Sequence, residues 1–490
     1  MLQRTSGLFL PYLLYPLYLC FKNNCLPVLF IFSLLCFSAK VKAQEVPESL
    51  RIKLTATLDS MLEVIGNKSL SAAMQFDDET IWADAAGISS AAVAVTPEFK
   101  YEIGSVTKTF TAACILQLVD EGILQLDDSI NKWLEPIIYI DTNITIRQLL
   151  RHQSGLYEVL ANPELQPILL ANTDSVWQAS DVIATFINPP YNVPGAVWSY
   201  CNTGYFLLGM IIEAATGNPY YVEIRNRFLD PLALSSMGIP SFETLSGPIA
   251  HVWLDITGDG VTEDAHFFYY NWKALNSVAG AAGGYYSDAT DITHWMRTYL
   301  RGDLIDAAIM DEAKETVTAP GISGTYGLGL MKKTFKGYTA YGHGGDLSYS
   351  ANSWYLPDLD LSITVLNNDA EVISWDLEPV TIALLQTYEN WKLTLHVDDV
   401  VNKVDIKVFP NPTSGNFNIA ITGAPENKPF EIKLCNLYGQ LIWVKTLSGS
   451  AISNGIINCS LPLNLQDGTY FIEINSEKNI LYNSTILKLS

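Results

Sequence analysis

The chain has 490 residues, 49% of them hydrophobic, which suits roughly two or three globular domains and excludes a disordered or fibrous protein. It carries 29 basic against 51 acidic side chains, a net charge of −22, and residues 44–396 alone hold 18 against 43. So acidic a surface repels nucleic-acid phosphates and anionic headgroups, and seven cysteines with no CxxC, in a chain with no HExxH, argue against structural zinc or zincin chemistry.

Residues 1–43 read as a signal peptide. Arg4 and Lys22 precede an apolar run from Leu26 to Ala39, too short for the ~20 residues of a membrane-spanning helix. Val41-Lys42-Ala43 before Gln44 reads as a small-residue cleavage site. An uncleaved anchor is the competing reading, because residues 7–21 form a second apolar stretch. Export places the mature chain where disulfides form. Cys114 and Cys201 are expected as buried free thiols, while pairing of Cys435 with Cys459 stays open.

Residues 44–396 predict a mixed domain. It opens with a helix over Leu50–Ile65, then short strands near Ala72–Gln75 and Ile81–Ala85. An amphipathic helix follows from Ser105, stopped by Gly122, and further helices run through Arg227. After Tyr326 the period becomes strand-like over four successive runs, and a last helix is expected near Pro379–Leu393. This order predicts an α/β (α+β) fold: an antiparallel β-sheet flanked by helices, plus an all-helical lobe. Residues 397–403 form a polar linker. Residues 404–490 are all-β, with Pro-Asn-Pro, Ser-Gly and Asp-Gly turns, and predict a small β-sandwich.

Three short constellations carry the chemistry. Ser105-Val-Thr-Lys108 opens the first strong helix, Tyr200-Cys-Asn202 opens a second, and His343-Gly-Gly345 lies in the strand region. Each alone also reads blandly: Ser105 and Asn202 as helix caps, His343 as a core histidine. Together they do more. A serine hydroxyl needs an adjacent base, and residues three apart on a helix share a face, so Lys108 can serve Ser105. Burial lowers a lysine pKa into the range where it acts as a base. Tyr200 can relay a proton to the leaving group. The Gly344-Gly345 pair lets a substrate lie along the strand edge, and the amide of Asp346 can donate to an oxyanion.

With these motifs, in this order, the chain resembles the serine β-lactamase and D-alanyl-D-alanine carboxypeptidase superfamily in its class-C-like branch. Further blocks share the likeness, among them ITIRQLLRHQSGL at 144–156 and YGHGGDLSYSANSWYLPDLDLSITVLNND at 341–369. The resemblance implies Ser105 as acylated nucleophile, Lys108 as its proton partner and Tyr200 as base or relay. It implies Asn202, His343, Gly345 and Asp346 as substrate-binding groups. His343 stands where the lactamases carry the lysine of a K-T-G motif, which implies weak lactamase activity. A histidine there is expected to titrate near pH ~6.5 and to hold a substrate carboxylate only on the acid side. The implied substrates are D-alanyl-D-alanine-like peptides, β-lactams or esters, with no cofactor and no metal. A catalytically weak binding or sensor protein is the rival reading. The tail, with KVFPNPTSGNFNI and GTYFIEI, resembles the C-terminal sorting domain of the type IX secretion system, which implies secretion machinery as a partner and the cell surface or exterior as destination. Asp255-Ile-Thr-Gly-Asp-Gly260 is similar to a calcium loop but lacks EF-hand ligands at Thr257 and His266, and reads as a solvated turn.

Overall fold

Leu50, Leu54, Leu58 and Met61 recur every three or four residues and form the buried stripe of helix α1 (Glu48–Ile65). Gly66 ends it in the left-handed region, at φ +77°. The computed structural model describes residues 20–21, 24–25, 45–266, 272–395, 405–422, 429–436, 439–447, 456–462, 465–476 and 479–489. The linker 397–403 lies outside them. So does the expected signal peptide 1–43, apart from a pairing of Cys20–Phe21 with Asn24–Cys25. Residues 45–490 make one compact unit.

The α1 stripe covers one face of a nine-stranded antiparallel sheet. Its strands are β1 (Ser69–Gln75), β2 (Ile81–Ser90), β3 (Val93–Ala94), β4 (Val317–Thr318), β5 (Thr325–Tyr326), β6 (Met331–Phe335), β7 (Tyr338–Asp346), β8 (Ser350–Leu356) and β9 (Leu361–Asn367). They lie in the order β4-β5-β6-β7-β8-β9-β1-β2-β3. The last long strand therefore pairs with the first, Val365 opposite Ala72 and Ile363 opposite Met74. Every residue of β1, β8 and β9 is buried, because helices cover both faces there. Leu70, Ala72, Met74, Ile363 and Val365 point to α1 and the C-terminal helix Glu378–Leu395, while Ala73 and Leu366 point to the opposite core, which includes Ile292 and Met296 of helix Ala289–Arg301. That alternation is the two-residue period of a strand read on both sides.

The expected helix after Ser105 is present but differs in kind. Gly104–Val106 form a 3₁₀ turn, and α2 runs over Thr107–Asp120, with Gly122 at φ +72° beyond its end. It is not a surface amphipathic helix: 11 of its 14 residues are buried. Its polar residues are satisfied inside the protein, Thr109 accepting from Trp295 Nε1 at 2.9 Å and Thr111 donating to the Ala281 carbonyl at 2.7 Å. Helices α3 (Asn202–Thr216) and α4 (Lys273–Gly283) pack beside it in the helical lobe.

The tail forms its own core. A three-stranded sheet (Asp405–Phe409, Asn416–Thr422 and Ile456–Ser460) faces a four-stranded one built on Phe430–Cys435 and Gly468–Ser476. Phe417, Ile419, Ile432, Leu434 and Ile472 fill the space between them. Cys435 and Cys459 belong to different sheets and are both free, as are the buried Cys114 and Cys201. Phe471 reaches out of the tail to pack against the core of α1 and the C-terminal helix.

Since each part has its own core, a chain ending after Leu395 is expected to stay folded and soluble. Losing the partly buried Phe471 contact should cost no more than ~2 kcal/mol. Urea unfolding of the truncated and full chains checks this, and an insoluble truncate would show the tail to be part of the core of residues 45–395.

Candidate active site

The turn that carries Ser105 is positioned first by its backbone. Tyr101–Glu102 pairs with Tyr286–Ser287, and the Ile103 N–H donates to the Tyr285 carbonyl at 2.9 Å. Gly104 then turns the chain at φ +49°. A Cβ on Gly104 would lie 2.6 Å from the Asp346 nitrogen, and one on Gly345 would lie 2.0 Å from the Ile103 oxygen. Strand β7 and the serine turn thus meet backbone to backbone, which only glycines permit. Gly344 has a different reason: its Cβ would strike Ser374 Oγ at 2.6 Å, so it makes room for protein rather than substrate. The pairing of β6 with β7 stops at Gly342, leaving His343 to Asp346 outside that ladder.

Lys108 is completely buried. Its Nζ lies 2.9 Å from Ser105 Oγ, 2.7 Å from Asn202 Oδ1 and 2.8 Å from the Ala282 carbonyl. Helix geometry brings the first partner, three residues back on the same face. The third depends on a break in α4, where Gly280 sits at φ 41°, ψ −126° and turns the following carbonyls towards α2. Burial pulls the Lys108 pKa down to about 7, against the opposing pull of Glu158 and Cys201.

Tyr200 presents its ring to this amine, Nζ standing 4.9 Å from the ring centroid. Its buried hydroxyl makes no hydrogen bond of good geometry among the described residues, though Ser105 is near enough to favour the phenolate. Burial dominates and holds Tyr200 well above the ordinary phenol range. Beside it lies His152, at φ +56°, with its ring centroid 4.2 Å from that of Tyr200. His152 Nδ1 accepts from the Cys201 N–H at 3.1 Å, which orients the Tyr200-Cys201-Asn202 segment. Cys201 itself turns away, its Sγ towards the carbonyls of Leu156 and Tyr157.

His343 departs from expectation. It is fully buried, with Nε2 2.9 Å from the Tyr326 hydroxyl and Nδ1 on the Gly344 carbonyl. A carbonyl only accepts, so Nδ1 carries the proton and Nε2 accepts from Tyr326. Burial, and then the charge on Lys108, push its pKa down to about 3. The expected histidine titrating near neutrality as a carboxylate contact is therefore corrected: in a dry site beside a second cationic group, the imidazole stays neutral. Asp346 also turns its side chain away, accepting from the Ser374 hydroxyl at 2.8 Å and from its backbone N–H, so only its amide faces the serine turn.

Ser105, Lys108, Tyr200, Asn202, His343, Gly345 and Asp346 are thus brought together around one half-buried hydroxyl. Sequence reasoning missed Glu158, which accepts the Asn202 N–H and the Leu160 N–H and whose charge acts on Lys108. It also missed His152, Tyr326 and the Ala282 carbonyl. The HQSGLYE run was visible, but nothing in one sequence separates its glutamate from a surface acid. In the 255–260 loop, the Asp255 carboxylate accepts from the N–H groups of Gly258 at 2.6 Å and Gly260 at 2.8 Å, so the turn is closed by its own backbone.

Two outcomes test this geometry. A neutral buried histidine gives stability that is present above the unfolded pKa of 6.5 and is lost as pH falls towards about 3, because only the unfolded imidazole takes a proton. Between about pH 6 and about pH 4.5 this single group should cost roughly 2 kcal/mol, a loss that His343→Gln is expected to remove. Chemical denaturation of both proteins across that range reads it, and identical slopes would show a charged or exposed imidazole. Separately, Gly345→Ala should displace the serine turn and lower the reactivity of the Ser105 hydroxyl roughly 100-fold, while Gly66→Ala, strained at φ +77° but with open space at its Cβ, should cost stability and leave that reactivity unchanged. Labelling rates with a serine-reactive probe compare the two.

Residues 59–378 match the family described as Beta-lactamase, and residues 407–488 match the Secretion system C-terminal sorting domain. Penicillin-binding protein 4 of Amycolatopsis lactamdurans is 29% identical over 283 residues, covering 52% of this chain and 70% of that protein. A D-stereospecific amidohydrolase from Streptomyces sp. superposes with a TM-score of 0.59 at 28% identity, over 69% of this chain and 97% of the other. The D-amino acid amidase of Ochrobactrum anthropi SV3 shares the fold at a TM-score of 0.62, with 24% identity over 70% of this chain and 99% of its own. A family match over well more than half the chain, on an antiparallel sheet flanked by helices, shows that the protein belongs to the beta-lactamase family of serine hydrolases and ends in a secretion-system sorting domain.

Proposed function

We propose that this protein hydrolyses small amides or esters with a D-configured centre next to the reacting carbonyl, through an acyl-enzyme on Ser105. The observation that carries the proposal is the Lys108 amine, 2.9 Å from Ser105 Oγ with a pKa near 7. In its neutral form the amine accepts the Ser105 proton as Oγ attacks the carbonyl carbon. Negative charge gathers on the carbonyl oxygen, where the backbone N–H groups of Ser105 and Asp346 donate to it. Tyr200, held as a neutral phenol by burial, passes its proton to the leaving nitrogen or oxygen and is reprotonated from Lys108. Asn202 keeps Lys108 in register and offers its amide to the substrate. Water then takes the leaving group's place and the same groups run in reverse.

The substrate class follows from charge. His343 is neutral, and Lys333, the other cation acting on this end of β7, is ion-paired with Glu378. Among the described residues of the site a free substrate carboxylate gains no dedicated partner, so neutral amides and esters are favoured over C-terminal carboxylates. The likeness to a D-stereospecific amidohydrolase supports the D-configuration. Export through an N-terminal signal and delivery to the cell surface by the tail complete the proposal, with domain limits at 44–396 and 404–490.

A fluorophosphonate or penicillin probe should add to Ser105 in the native protein and not to Ser105→Ala, read by intact mass; equal labelling would remove the nucleophile. Acylation should rise with pH through an apparent pKa near 7, set by Lys108, and Lys108→Ala should cost ~10³-fold or more. KM against pH should run in parallel for an acidic and a neutral substrate of the same body. Diverging curves would restore a titrating anion contact, and labelling without turnover would favour a binding or sensor role.

A further inference from the structure

A cavity lies beside the helices of the helical lobe, and none of the residues gathered around Ser105 lines it. It occupies about 260 Å³ between α3, α4 and the short helix Tyr220–Ile224. Its walls are aromatic and apolar, with Trp177, Phe206, Tyr220 and Phe242 prominent, and it opens past the exposed Gln178 and Ser180. Two polar residues of its lining lack a full set of partners among the described residues. Tyr220 is 7% exposed, and its buried hydroxyl has no hydrogen-bond partner among the described residues. That oxygen lies 3.3 Å from where a Cβ on Gly280 would sit, against the break in α4. Glu213 lines the same cavity, half-buried, its Oε1 accepting the Tyr220 N–H at 3.2 Å. No arginine, lysine or histidine pairs with it among the described residues.

A phenol without a partner, a carboxylate without a cation and a ring of aromatic faces make one complementary pattern. Buried polar groups are ordinarily satisfied, and a cation gains from both the carboxylate and the ring faces. Phe242 stacks on Tyr221 at 4.8 Å, so this wall is braced and preformed. Burial meanwhile holds the Glu213 carboxyl above its ordinary range, the mark of an acid lacking its counter-ion. We infer that the cavity is a binding site for a small organic ammonium ion with an apolar or aromatic body, its nitrogen held by Glu213 and Tyr220 and its body by Trp177 and Phe242. The site is separate from Ser105 and owes nothing to the hydrolysis proposed above.

Calorimetric titration of the full chain with phenethylamine, and with 2-phenylethanol as its neutral counterpart, tests the inference. The amine should bind saturably and roughly tenfold or more tightly than the alcohol, and Glu213→Gln should abolish that difference. Hydrogen exchange on the unmutated protein locates the site independently of any variant: the amine should protect Tyr220–Ile224 and residues 277–281. Absence of saturable binding, equal affinity for amine and alcohol, a preference that survives Glu213→Gln, or protection at 105–108 instead would each overturn it.

Discussion

An amine carried into the dry interior of a protein must find acceptors for its protons or give up its charge, and Lys108 does some of each. Its three acceptors come from three places: Ser105 one turn back, Asn202 at the start of α3, and the Ala282 carbonyl at the end of α4. The helical lobe can close around α2 only if those three arrive together. That requirement accounts for features that otherwise look unrelated, such as the broken helix at Gly280 and the Glu158 carboxylate on the Asn202 amide. Burial then sets the amine's proton affinity near neutral pH, so the group that ties the lobe together can exist there with or without its charge.

The same dryness governs His343. Two positive charges cannot share a site from which water is excluded, and Lys108 is the better placed of the two to keep contact with acceptors. The imidazole therefore settles as a neutral link between Tyr326 and the Gly344 carbonyl. A lysine in its place would need a route to solvent or a counter-ion, and the packing of Tyr326, Tyr200 and His152 around it leaves little room for one.

Much of this arrangement was legible in the sequence, for reasons that differ by residue. The Ser105–Lys108 contact follows from helix spacing, and the strands after Tyr326 follow from β-branched and aromatic runs between turns. Helix α2 was found but misjudged as amphipathic, because its threonines look like a polar face until their partners on α4 and Trp295 are known. Glu158, His152 and the Ala282 carbonyl act across distances the chain closes only in three dimensions. The charge state of His343 was likewise hidden, since pKa depends on burial and neighbours rather than on residue type. Gly344 and Gly345 read alike as a pair, yet one faces Ser374 and the other Ile103.

The pairing of β9 with β1 has a consequence for how the molecule comes into being. Ser362 cannot meet Gln75, nor Asn367 meet Leu70, until nearly the whole catalytic region has left the ribosome. Until then β1 has an unpaired edge, and the turn bearing Ser105 lacks the strand that locks it, since Gly345 lies almost as late in the chain. Contacts so distant in sequence make for slow, late closure and a prolonged half-assembled chain. The Ser105 hydroxyl, although encoded early, reaches its final surroundings among the last parts of the chain to close.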